Sequence, residues 1–257
     1  MIGGSFVFQD CKFPILACAI HNGHYIPPEL LAYTEVDENT RLMEEDPYTC
    51  GFAGLFPNFF VPYASRFAID LNRSPEKAVY LKPEDAWGLP VRKGEIAADM
   101  LERLYKAHDT WYKLVHYQIS RLLQTNSRLL ILDLHSYNHR RDGMDAPCAP
   151  QIDNPDIIIG RSNICQEQYP LVESLRELID GTSFQGGKID CRCDVKFSGG
   201  YFSRWVNASF PGSCMCLAIE FKKTFMNEWT GELNLEAYDE LRFLFHDKVM
   251  QWFGDKL

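Results

Sequence analysis

Short apolar runs alternate along this chain with longer amphipathic stretches, and several of the runs stop at a residue equipped for chemistry. Phe13 to Ile20 (FPILACAI) reads as a buried strand ending at His21. Pro27-Pro28-Glu29 marks a helix start, since proline is tolerated in the first turn. Asp46 to Pro62 is rich in Gly, Pro, Phe and Asn and predicts a long structured loop. Ser65 to Leu71 predicts a further strand, closing in Asn72-Arg73-Ser74-Pro75. The clearest helix covers about Glu95 to Gln124, where Leu101, Leu104, His108, Tyr112, Val115, Ile119 and Leu122 build one stripe at three- and four-residue steps. Leu129 to Leu134 (LLILDL) is a second buried strand and leads into His135-Ser136. Gln166 to Ile179 reads as a helix stopped near Gly181, and Cys214 to Ile219 (CMCLAI) as a third buried strand ending at Glu220. Glu236 to Phe253 closes the chain as an amphipathic helix.

Strands alternating with helices predict an α/β fold, with a mixed, largely parallel central sheet and helices on both faces. No repeat, linker or low-complexity tract divides the chain, so residues 1–257 are read as one domain. In open α/β sheets the ligand crevice lies beyond the carboxyl ends of the strands. His21, Asn72-Arg73, His135 and Glu220 all fall at such ends.

Bulk properties narrow the partners. The 257 residues are 46% apolar and 24% charged, ordinary for a globular protein. A net charge of −9 disfavours nucleic acid, whose binding draws on Lys and Arg neutralising phosphates. It leaves room for a small anionic substrate held by local arginines. Nine cysteines, an odd number with no C-x-x-C spacing, argue against a zinc knuckle and a disulfide framework and for reduced, mostly buried thiols. Met1 to Lys12 lacks the features of a signal peptide, and no run approaches the roughly 18 apolar residues of a membrane span. The expected setting is the cytoplasm; the pattern does not specify an oligomeric state. No G-x-x-x-x-G-K-[ST] loop and no G-x-S-x-G elbow is present.

The strand ends suggest a metal hydrolase. His21 and His135 can project into one crevice, and a catalytic zinc site takes three protein ligands plus an open position. Asp46 or Glu45 can supply the third ligand, and His24 is another candidate. Glu220 is either a general acid–base group beside such a metal or a salt-bridge partner of a basic neighbour such as Lys222. Arg73, with Asn72, offers a planar fork for a carboxylate, and Arg66 offers a contact to substrate or to a developing oxyanion. Gly199-Gly200-Tyr201 with Arg204 fits a close-approach loop over a ligand or a plain hairpin turn. His139-Arg140-Arg141-Asp142 reads as a solvated loop.

These residues, in this order, resemble the N-formylglutamate amidohydrolase family. The resemblance rests on His21-Asn22-Gly23 with Ile26-Pro27, Glu45-Asp46, Arg66 through Asp70-Leu71-Asn72-Arg73, Asp133-Leu134-His135-Ser136, Gly199-Gly200-Tyr201 to Arg204, and Ile219-Glu220. That family is similar in turn to the zinc metallocarboxypeptidases. The resemblance implies a zinc-exopeptidase-like fold, with Zn2+ on His21, Asp46 and His135 and general-base catalysis by Glu220. It implies Asn72 and Arg73 as carboxylate ligands, Arg66 as oxyanion or substrate partner, and Tyr201 and Arg204 beside the substrate. The expected reaction is hydrolysis of the N-acyl bond of a small acidic amino acid, N-formylglutamate first. A carboxypeptidase or a deacylase for another N-acyl amino acid is the alternative, and a non-catalytic binding protein on the same fold is the second. The chain departs from the family where Pro47-Tyr48 follows the acidic segment and where its own loop runs from Asp142 to Asp153. Both regions are expected to border the substrate pocket.

Overall fold

The computed structural model describes residues 2–256. In chain order the strands are β1 (Gly4–Phe8), β2 (Ile15–Cys18), β3 (Asn58–Pro62), β4 (Leu129–Tyr137), β5 (Ile157–Gly160), β6 (Ser183–Phe184), β7 (Gly187–Lys188), β8 (Cys191–Cys193) and β9 (Cys214–Lys222). The α-helices are α1 (Pro28–Leu31), α2 (Glu38–Glu44), α3 (Thr49–Ala53), α4 (Ala98–Leu122), α5 (Tyr169–Ile179), α6 (Tyr201–Ser209) and α7 (Leu235–Lys256).

Seven strands form one mixed sheet in the order β1-β3-β2-β4-β9-β5-β8, and β6 and β7 form a separate hairpin. The four central strands β3, β2, β4 and β9 run parallel. Within this sheet, among the described residues, β1 against β3 and β5 against β9 pair antiparallel, as β6 and β7 do in their hairpin. The longest pairing runs from Leu129↔Cys214 to Tyr137↔Lys222, and every residue of β4 is buried.

Side chains on β4 alternate between two cores, as strand geometry demands. Leu130, Leu132 and Leu134 join Leu217, Ile219 and Phe221 on one face, against Leu175 and Ile179 of α5 and Leu241, Phe245 and Trp252 of α7. Ile131 and Cys216 look the other way, towards Trp111, Val115 and Ile119 of α4 and Phe202 and Val206 of α6. Helices therefore cover both faces, which is why these strands read as unbroken apolar runs. Among the described residues no helix is long and apolar enough to cross a membrane.

Three expectations need correction. Ser65–Leu71 is not a strand: Ala68 and Ile69 both donate backbone N–H bonds to the Ser65 carbonyl, forming a turn. Its apolar residues pack locally instead, Phe67 and Ala68 with Tyr80 and Val91. The sheet position next to β2 belongs to β3, which lies with α3 inside the stretch expected to be all loop. All nine cysteines are free, but only Cys18, Cys191, Cys214 and Cys216 are buried, so most are not.

Candidate active site

The sheet delivers three groups to one place. His21 follows β2 closely, His135 lies near the end of β4, and Glu220 is its direct partner across the β4–β9 ladder. Asp46 arrives from the segment after α2. Its N–H donates to the His21 carbonyl at 3.1 Å, and the Asp46 carbonyl accepts from the Thr49 hydroxyl at 2.6 Å.

His21, Asp46 and His135 are all buried, and one ligand atom from each lies within 4.8 Å of the other two. Both imidazoles turn Nδ1 towards the same Asp46 oxygen, at 3.5 Å from His21 and 2.8 Å from His135. Each Nε2 has a buried carboxylate behind it. Asp70 stands 2.7 Å from His21, and Asp133 stands 3.0 Å from His135. A carboxylate on the far nitrogen fixes the tautomer that leaves the near nitrogen free to bind a metal. Both Asp133 oxygens are buried without a hydrogen-bond partner among the described residues, although His135 is close. A cation on the Nδ1 side would hold the proton on Nε2, where Asp133 can use it. The donor set of two imidazoles and one carboxylate suits zinc.

Charge in the cluster is mutually supported. Burial alone would raise the Asp46 carboxyl, but hydrogen bonds from His135 and His21 prevail and hold it well below the usual range. Burial opposes a proton on His135, yet the Asp133 and Asp46 carboxylates outweigh it and push its pKa up. Glu220 behaves oppositely to Asp46. Burial lifts its carboxyl to about 8, His135 pulls the other way, and Asp46 and Asp133 add to the rise.

These groups floor a crevice of about 360 Å³, walled also by Arg66, Asn72 and Trp87. The Asp70 carboxylate organises that wall, accepting from the Asn72 N–H at 2.8 Å, from Arg66 at 3.2 Å and from the Tyr80 hydroxyl. Helix α4 fixes the following turn: Tyr112 donates to the Leu71 carbonyl at 2.6 Å and His108 to that of Arg73 at 3.0 Å. Asn72 Oδ1 accepts from the Phe202 N–H at 2.9 Å, while its Nδ2 lies 3.4 Å from His135 Nε2. A Cβ on Gly200 would come within 2.3 Å of the Asn72 side chain, so that close approach requires glycine. Arg66 lies 4.8 Å from the centroid of the exposed Trp87 ring, and Arg73 lies 4.9 Å from that of Tyr80 and 5.9 Å from that of Trp87.

The expected residues are therefore largely assembled, with three exceptions. Arg73 does not line the crevice, its guanidinium lying 3.5 Å from Asp70 and over the Tyr80 ring. Phe202 and Val206 take the buried face of α6, so helical phase turns Tyr201 and Arg204 elsewhere. The Tyr201 ring packs on Tyr112 at 5.6 Å, and Arg204 borders a separate surface hollow beside Asn163. Gly199-Gly200 lead into a helix rather than a hairpin turn. Glu45 and His24 are engaged with each other, and Glu45 also with Ser65, away from the metal-like cluster. Glu220 does not pair with Lys222, whose amine goes to Asp156 at 2.6 Å. Trp87, Lys196 and Lys223 reach the crevice unannounced, and Arg141 does so from what reads as a solvated loop. Their signals were faint: a Trp-Gly step at 87–88, and a lysine three residues before a Gly-Gly pair.

Comparison with known proteins decides the family. Residues 13–226 match the N-formylglutamate amidohydrolase family. The chain belongs to that family. Among curated proteins, none matches its sequence. The crystal structure of N-formylglutamate amidohydrolase from Ralstonia eutropha JMP134 superposes with a TM-score of 0.70 at 16% identity, covering 98% of this chain and 97% of that one. The gene product Atu2144 from Agrobacterium tumefaciens gives a TM-score of 0.65 at 13% identity, covering 98% and 96%. At such identities the likeness speaks for the fold, a mixed α/β sheet. Membership of the family makes the protein an enzyme that hydrolyses amides.

Proposed function

We propose that this amidohydrolase is zinc-dependent and cleaves N-formylglutamate to formate and glutamate. The observation that carries the reading is the convergence of His21, Asp46 and His135 beside the buried-strand carboxyl of Glu220, which lines the same crevice. His21, Asp46 and His135 would hold the zinc ion, which when bound supplies Lewis acidity and makes water a nucleophile near neutral pH. Glu220, whose ionised form a cation held by the cluster would favour, takes a proton from the attacking water and returns it to the amine nitrogen as the formyl C–N bond breaks. Arg66, kept charged beside Asp70, faces the carbonyl oxygen as negative charge develops there. Asn72 and Arg73 receive the α-carboxylate, which sets the amide over the cluster and lowers the barrier by positioning.

The test is to incubate zinc-loaded protein with N-formylglutamate, N-acetyl amino acids and dipeptides and to measure the acids released. Equal amounts of formate and glutamate, with little turnover of the others, support the reading. Faster cleavage of dipeptides or N-acetyl compounds replaces it with a peptidase or a general deacylase.

A further inference from the structure

The crevice holds more positive charge than its central cluster uses. Arg66, Arg141, Lys196 and Lys223 all line it. Three of these are already engaged. Arg66 pairs with Asp70 at 3.2 Å, and Arg141 forks onto Glu44 at 2.7 and 3.0 Å. Lys223 is buried and donates to the carbonyls of Met43 and Glu45 at 2.6 and 2.7 Å.

Lys196 differs. Its amine donates to Asn154 Oδ1 at 2.8 Å and lies 4.7 Å from the centroid of Tyr137 and 5.7 Å from that of Phe197. A neutral amide and two ring faces steady an ammonium without cancelling its charge. No carboxylate forms a salt bridge with it among the described residues, unlike Arg66 and Arg141.

The backbone also commits Lys196 to this place. Its φ is +63°, in the left-handed region that disfavours side chains with a Cβ, and Phe197 N–H closes a tight turn around it onto the Val195 carbonyl at 2.6 Å. Strained positions of this kind persist where the surroundings enforce them, often at ligand clamps. Asn154 is itself buried and held, its Nδ2 donating to the Pro150 carbonyl at 2.9 Å.

The position relative to the cluster suits a particular ligand. His135 and Tyr137 are successive same-face residues of β4, so their Cα atoms are roughly 7 Å apart. The Lys196 amine over the Tyr137 ring lines the same crevice as His135.

We propose that Lys196 is the specificity-determining contact for a second carboxylate, so that the site selects N-acyl derivatives of a dicarboxylic amino acid. The α-carboxylate sits at Asn72 and Arg73, and the side-chain carboxylate meets Lys196. This rests on the amidohydrolase reading of the same site.

N-formylglutamate and N-formylglutamine test it, being alike in size and different in charge. Binding to metal-free protein is measured by calorimetry and turnover by formate release, for the native chain, Lys196→Gln and Lys196→Arg. The native protein should favour the glutamate compound by about 10–100-fold, the worth of one hydrogen-bonded charge pair. Lys196→Gln should bring that ratio to within about threefold of unity, and Lys196→Arg should keep most of it. No native preference, or an equal loss on both compounds in Lys196→Gln, overturns the proposal. Formate released from both compounds without preference removes Lys196 from specificity and leaves the amidohydrolase reading intact. Selective, Lys196-dependent binding without any formate release does the reverse.

Discussion

Replacing Glu220 by Gln in metal-free protein should change the pH dependence of stability in a defined direction. In the folded chain the Glu220 carboxyl is lifted from an ordinary 4.5 to about 8, chiefly by burial. The folded state therefore holds a proton that the unfolded state releases across that window. Stability conferred by the raised pKa is complete below about 4.5 and is lost as pH rises through about 8. Glutamine is nearly isosteric and cannot ionise, so the variant escapes that loss. At about 1.4 kcal/mol per unit the shift sets a ceiling of about 5 kcal/mol, and solvent access at the crevice mouth reduces it to about 1–3 kcal/mol. Each kcal/mol corresponds to roughly 2–4 °C in Tm for a chain of this size. Thermal unfolding of chelator-treated protein between pH 5 and 9 should show the two proteins nearly matched at pH 5, with the variant more stable by several degrees at pH 9. The zinc-loaded variant should keep its metal and lose on the order of 10²–10⁴ in turnover, the usual worth of a general acid–base group. Parallel stability curves, or near-native turnover, would refute the reasoning that places a desolvated carboxyl beside the cluster.

Two further substitutions probe the surrounding groups. Arg73→Lys keeps the charge but loses the planar fork, so kcat/KM for N-formylglutamate should fall by about 10-fold or more while the corresponding α-amide, a poor substrate throughout, changes little; an equal loss on both makes Arg73 a structural partner of Asp70 and Tyr80. Asp133→Asn removes the charge behind His135 Nε2 and should weaken zinc binding by about 10–100-fold in a chelator competition, whereas unchanged affinity would show that Asp133 does not orient the ring.

How much of this was legible in the chain depended on how each residue reaches the site. His21, His135 and Glu220 were readable because β2, β4 and β9 are buried on both faces, and continuous apolar runs mark their ends without help from neighbours. Asn72 reaches the crevice too, but by a turn, with Arg73 held beside it on Asp70 and the Tyr80 ring; the run from Ser65 to Leu71 resembles a strand because its apolar residues pack against Tyr80 and α4 rather than a sheet. β3 was hidden by the opposite effect, since five residues, NFFVP, sit in a stretch whose composition signals loop. Tyr201 and Arg204 do not line the crevice because adjacency to Gly200 in sequence says nothing about helical phase, which Phe202 and Val206 decide. Trp87 and Lys196 enter on left-handed backbone, at φ +54° and +63°, where no periodic pattern exists to read.

Zinc titration of chelator-stripped protein, followed by formate release from N-formylglutamate, tests the central claim most directly. Activity should be negligible without metal, rise in proportion to added zinc and level off at one ion per chain. Protein carrying His21→Ala and His135→Ala together should take up no stoichiometric zinc and release no formate. Full turnover in metal-stripped protein, or undiminished one-to-one zinc binding by the double variant, would contradict the assignment of His21, Asp46 and His135 as the metal site that this hydrolysis needs.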